Sequence, residues 1–100
     1  MATIAEAINQ GIALQNAGRW LDADRVYQSI LQADPNQRDA LYLTGVLALQ
    51  QGNPARGIEL MQRALTLGLQ TPELLNNLGA AYMHAGQPQQ SIACFDRAMQ

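Results

Sequence analysis

His84, Cys94 and the pair Asp22 and Asp24 are the side chains of this 100-residue sequence with the chemistry for a reaction or a metal. Spacing decides what each can do. A metal held on one helix needs a second ligand three or four residues away, where two side chains share a face. The residues at those distances from His84 are Ala80, Ala81, Gln87 and Pro88, with no Asp, Glu or Cys among them. His84 therefore reads as a polar residue lining a surface. Cys94 is the single cysteine, which removes an intrachain disulfide, and it reads as a small packing residue. Asp22 and Asp24 flank Ala23, and residues two apart on a helix point to different faces, so they are not a paired acid and base. They suit the first turn of a helix, where negative charge meets the helix dipole. The glycines form no phosphate-binding loop. No enzyme activity, cofactor or metal is expected.

The bulk properties narrow the class of protein. Hydrophobic residues at 48% with 14% charged residues describe a folded chain rather than a linker. All six basic residues are Arg, at Arg19, Arg25, Arg38, Arg56, Arg63 and Arg97, and their scatter makes no basic patch. Nucleic acid is therefore not an expected partner. A membrane is not expected either, because no apolar run approaches the roughly 18 residues a spanning helix needs. Polar residues interrupt the start of the chain and no basic residue precedes Arg19, which does not read as a secretory signal. A cytoplasmic location is expected.

The positions of these residues are set by a period. Gly18, Gly52 and Gly86 lie 34 residues apart, as do Gly11, Gly45 and Gly79, and Tyr27, Met61 and Phe95 keep the same step. That spacing marks a helical solenoid. Thr3 and Glu6 form a capping box, the Glu6 carboxylate reaching back to the start of a helix that runs to about Ala17, and a second helix begins at Trp20. Asp34 caps the third helix with Pro35 in its first turn, while Asn53-Pro54 and Thr71-Pro72 open two later ones. Gly68-Leu69 reads as a glycine C-cap, and the sixth helix runs from Pro88 to the last residue. The stripes Ala7, Gln10, Gly11, Leu14 and Leu41, Thr44, Gly45, Ala48 and Leu75, Leu78, Gly79, Tyr82 supply the core. Small residues Gly11, Gly45 and Gly79 face Ala23, Gly57 and Ser91, and Tyr27, Met61 and Phe95 fill the gap to the next unit. Gly57 inside a helix costs about 1 kcal/mol against Ala, which marks the second unit as the softest.

These residues resemble the tetratricopeptide repeat family across nearly all of 4–100, and LLNNLGAAYMHAGQPQQSIACFDRAM is nearest its pattern. Gln10 and Thr44 depart from it, standing where the family prefers Leu. The resemblance implies an all-α fold of three helix-turn-helix repeats, six antiparallel helices in a right-handed superhelix. One domain spans 1–100, with repeats at about 4–37, 38–71 and 72–100. It also implies that the first helix of each unit lines a concave face. That face would carry Ala5, Ile8, Asn9, Ile12, Gln15 and Asn16, then Asp39, Tyr42, Leu43, Val46, Leu49 and Gln50, then Glu73, Asn76, Asn77, Ala80, Met83 and His84. The implied function is a non-catalytic groove for an apolar or amphipathic peptide or protein segment, with Asn9, Asn16, Asn76 and Asn77 bonding its backbone. The carboxylate clamp of one branch of the family is not expected, because the sequence has no Lys. The openings QNAGRWLDADRVYQSILQADP and LTGVLALQQGNPARGIELMQRAL look like the repeats that precede bacterial glycosyltransferase, sulfotransferase or methyltransferase domains. On that likeness the chain is a partner-presenting front segment of a larger bacterial transferase. A third expectation is a homo-oligomeric scaffold that self-associates through Ile92, Phe95 and Met99 on an uncapped last helix.

Overall fold

The computed structural model describes residues 2–100. Six α-helices follow one another: α1 (Ile4–Asn16), α2 (Trp20–Ala33), α3 (Arg38–Gln50), α4 (Pro54–Thr66), α5 (Pro72–His84) and α6 (Pro88–Ala98). There is no strand among the described residues. Each odd helix packs mainly on the even helix that follows it, and α2 on α3 and α4 on α5 join the pairs into a row. The row is 44 Å long and 25 × 20 Å across. A core continues along it from unit to unit: Tyr27, Ile30, Ala40 and Leu47 in one cluster, Leu41, Met61, Leu74 and Leu78 in the next.

Local chemistry starts and stops these helices. The Thr71 hydroxyl accepts the Leu74 amide at 3.2 Å and the Asn53 side chain accepts the Arg56 amide at 3.3 Å, each followed by a first-turn proline. Gly52, at φ +79°, lies in the left-handed region that reverses the chain after α3, which a residue with a Cβ resists. Two expected caps take a different form. At the first helix the Glu6 amide donates to Thr3 Oγ1, but the Glu6 carboxylate accepts from the Thr3 hydroxyl at 3.1 Å rather than from its backbone. Asp34 does not cap α3. It ends α2 and accepts the Asn36 amide in a tight turn, and Gln37 caps α3 by accepting the Ala40 amide at 2.9 Å. With Pro35 occupied in that turn, the helix begins three residues later. The last helix stops at Ala98, its final carbonyls closed by the Met99 amide.

The large residues of the repeat reach both ways. Tyr27, Met61 and Phe95 lie over the glycines of their own units, where a Cβ on Gly45 would stand 3.0 Å from Met61 Cγ and one on Gly79 2.8 Å from Phe95 Cε1. Tyr27 and Met61 also join clusters shared with the next unit, as expected. Gly57 has a packing reason that offsets its cost in propensity: a Cβ there would stand 3.0 Å from Leu49 Cγ and 3.1 Å from the Gly45 carbonyl oxygen. The second pair, α3 with α4, is the most closely joined of all. Thr44, where an apolar residue was expected, satisfies its buried hydroxyl by donating to the Ala40 carbonyl at 2.7 Å.

Candidate functional site

The first helices approach one another, α1 against α3 and α3 against α5, more closely than α2, α4 and α6 do. A row whose odd helices are closer than its even ones curves towards the odd helices. The inner face therefore belongs to α1, α3 and α5, the helices that carry the candidate groove residues.

Burial divides most of those residues into two groups. Asn9, Asn16, Gln50, Asn76, Met83 and His84 are exposed, and Met83 shows 54% of its surface. Ile8, Ile12, Tyr42, Leu43, Val46, Leu49 and Asn77 are half-buried. Ile8 and Leu43 pack against the first core cluster, and Tyr42, Val46 and Leu49 against the second. These apolar side chains do two jobs at once, closing the seams between units below and presenting a surface above.

Three hydrogen-bonded links cross the seams, one of them donated by Gln62 Nε2 of α4 to the Tyr82 hydroxyl oxygen of α5. Tyr27 donates its hydroxyl to Gln15 Oε1 at 2.8 Å, and Gln15 Nε2 donates to Gln50 Oε1 at 2.8 Å. At the other seam Asn77 Nδ2 donates to the Tyr42 hydroxyl oxygen at 2.7 Å. The two pairs made between inner helices are each 35 residues apart, one more than the repeat. Gln50 and Asn77 are thus partly engaged within the chain, while Gln15, 8% exposed, holds the first seam. The same step, searched for polar pairs, is the signal in the sequence that finds these two links. Arg38 was likewise hidden: its guanidinium donates to the Leu67 carbonyl at the end of α4, at 3.3 Å, where positive charge suits the helix dipole.

The electrostatics favour neutral groups. Burial pushes the Tyr27 phenol up to about 12. Tyr42 is also raised, chiefly by burial, with the Asn77 hydrogen bond lowering it and Glu73 raising it. Cys94 is buried on α6, and burial raises its thiol against the opposing pull of Arg97, so it stays protonated at neutral pH. Among the described residues no group of three or more His, Cys, Asp or Glu side chains could hold a metal, and no helix is long and apolar enough to cross a membrane. Asp22 pairs with Arg19 at 2.6 Å and Asp24 accepts from Gln28 at 3.3 Å, which separates the two carboxylates.

A pocket of about 360 Å³ opens at the second seam, lined by Leu49, Gly52, Pro54 and His84. It lies where the C-terminal ends of α3 and α5 meet the turn into α4. At the far end of the row, Ile92 and Met99 are 57% and 85% exposed, while Phe95 and Ala98 are half-buried. Met99 occupies the position that Leu65 and Leu31 hold one and two repeats earlier, and those two pack against the core.

A tetratricopeptide repeat family model matches residues 8–70 and a second matches 72–100. Among solved structures, MamA is 28% identical over 89% of this chain and 52% of its own, with a TM-score of 0.79. A mutant O-GlcNAc transferase of Thermobaculum terrenum is 27% identical over 99% of this chain and 20% of its own, with a TM-score of 0.91. YrrB, described as a tetratricopeptide protein with an unusual peptide-binding site, is 21% identical over 96% of this chain and 50% of its own, with a TM-score of 0.89, a likeness of fold alone. The chain spans about half or less of the length of these structures. No curated protein matches.

Proposed function

The chain belongs to the tetratricopeptide repeat family, and on that premise we propose that its inner face is a non-catalytic groove that binds an apolar or amphipathic peptide or protein segment. The observation that carries this reading is the half-buried apolar line Ile8, Ile12, Tyr42, Leu43, Val46 and Leu49, bordered by the exposed amides of Asn9, Asn16 and Asn76. Apolar surface flanked by amides suits a segment that buries side chains while its backbone finds donors and acceptors. The Tyr42–Asn77 link leaves the phenolic proton and Asn77 Oδ1 for that purpose. Selection from a random peptide library on the intact chain, followed by affinity measurement, tests it. Tyr42→Ala and Leu49→Glu should each weaken the selected peptides by roughly tenfold or more, about 1.4 kcal/mol, at unchanged helicity by circular dichroism. Unchanged affinity in both variants removes the groove.

A second reading makes this chain the partner-presenting segment of a larger transferase. Its support is the likeness to the Thermobaculum terrenum O-GlcNAc transferase across 99% of this chain. The sequence of the whole gene decides it. The exposed Ile92 and Met99, with Phe95 beside them, support self-association at the last helix. Light scattering across a concentration series that shows only monomer counts against that scaffold.

A further inference from the structure

The pocket at the second seam has a counterpart at the first, and the counterpart already contains an aromatic side chain. Moving its lining residues Leu49, Gly52, Pro54 and His84 back by one repeat gives Gln15, Gly18, Trp20 and Gln50. At the first seam the Trp20 indole is half-buried against the cluster that holds Tyr27 and Leu47, and the Gln15–Gln50 hydrogen bond at 2.8 Å closes the gap between the helices. At the second seam every one of these fillers is smaller or cannot pair. Pro54 replaces Trp20, Ala81 replaces Leu47, and the two amides become Leu49 and His84. The first seam keeps an open volume of its own, about 450 Å³, but charged Arg19, Asp22 and Arg25 line it and neither Gln15 nor Gln50 does, whereas the volume of about 360 Å³ at the second seam lies against Leu49 and His84.

From this we infer that the second-seam pocket receives an aromatic side chain, and that an aromatic residue is the anchor of the segment bound in the groove. The inference rests on the groove reading and names the class of side chain it selects. The pocket walls are the Leu49 side chain and the flat Pro54 ring, and Gly52 adds no side chain to the space between them. His84, exposed at its edge, offers a hydrogen-bonding partner to an indole N–H or a phenol O–H. No charged side chain lines it, so a carboxylate or an ammonium would lose water without compensation. The volume lies at the small end of ligand sites, roughly 300–1,000 Å³, which suits one side chain rather than a whole ligand. Leu49 and His84 also belong to the inner face, so the pocket continues the seam line of the groove.

The test is an amide-resolved NMR titration of the intact chain with N-acetyl-tryptophanamide and, separately, N-acetyl-leucinamide. The tryptophan probe should shift the Gly52 and His84 amides saturably, with the leucine probe at least about fivefold weaker, about 1 kcal/mol. Pro54→Trp, which restores the residue of the first seam, should abolish the shifts. Should that variant fail to fold, Leu49→Gln with His84→Gln rebuilds the amide pair, and the same loss is expected. Equal response to the two probes, no response, or shifts that persist in the folded variant overturns the inference. The groove itself is scored separately with library-selected peptides. Aromatic-free peptides that respond to Tyr42→Ala and bind the Pro54→Trp protein unchanged leave the groove standing and reject the aromatic anchor. Peptides indifferent to both Tyr42→Ala and Leu49→Glu reject the groove.

Discussion

The two seams between units are built on one lattice and joined in opposite ways. The first is tied at the C-terminal ends of its inner helices, through Tyr27, Gln15 and Gln50, and is apolar at the other end, where Ile8 and Leu43 pack on a shared cluster. The second is tied in the N-terminal halves of its inner helices, through Tyr42 and Asn77, and again where the Tyr82 hydroxyl accepts from Gln62 of α4, while a pocket lies against Leu49 and His84. Between the inner helices, one step along the repeat moves the hydrogen-bonded pair from the C-terminal ends to the N-terminal halves. A repeat thus fixes where helices meet and leaves open which positions carry the joining interaction.

The sharpest way to break this comparison is at Gly11. A Cβ there would run into the Tyr27 ring, which its hydrogen bond to Gln15 holds in place, so Gly11→Ala should cost about 3 kcal/mol through overpacking. Thermal unfolding measures it, and a loss under about 1 kcal/mol would mean that the first unit is as adaptable as the second. Next in size is the alkaline response. The Tyr27 phenol titrates near 10 when unfolded and at about 12 when folded. The neutral phenol is favoured by folding, so its contribution is complete below pH 10 and is lost as the pH rises towards 12, a decrease on the order of 2 kcal/mol. Tyr27→Phe should remove that part of the dependence, leaving the share due to Tyr42. At neutral pH it should cost about 1 kcal/mol for the Gln15 carbonyl left without its donor. Urea unfolding at several pH values separates the two effects. The smallest change is expected in the second unit. Gly57→Ala gains about 1 kcal/mol of helix propensity but crowds Leu49 and the Gly45 carbonyl, so stability should move by less than about 0.5 kcal/mol. A full gain of 1 kcal/mol would show that the close approach of α3 and α4 has slack.

Legibility followed the range of the interaction. Thr3, Asn53 and Thr71 were readable as caps because a cap is made with an amide two or three residues away. Asp34 was misread on the same logic: Asx turns and N-caps use the same side chain on nearby amides, and only the path of the backbone shows which one formed. The core stripes at Leu41, Thr44, Gly45 and Ala48 were readable from their period. That Tyr27, Met61 and Phe95 also close over the glycine of their own unit was not, because a large residue beside a small one can fill space within its own unit or between units. In the candidate groove, sequence named the inner helices through the family resemblance. It did not show that Tyr42, Leu43, Val46 and Leu49 spend half their surface on the core.

By itself the sequence determined the lattice: six helices, their glycine breaks and the 34-residue step, because local propensity, capping and periodicity act over a few residues at a time. Only the tertiary structure decided how one step meets the next. The pairs that join the inner helices, Gln15 with Gln50 and Tyr42 with Asn77, lie 35 residues apart, and the pocket at Leu49 and His84 is the volume left between whole helices. Such features depend on the relative placement of rigid elements, and no run of neighbouring residues contains that placement.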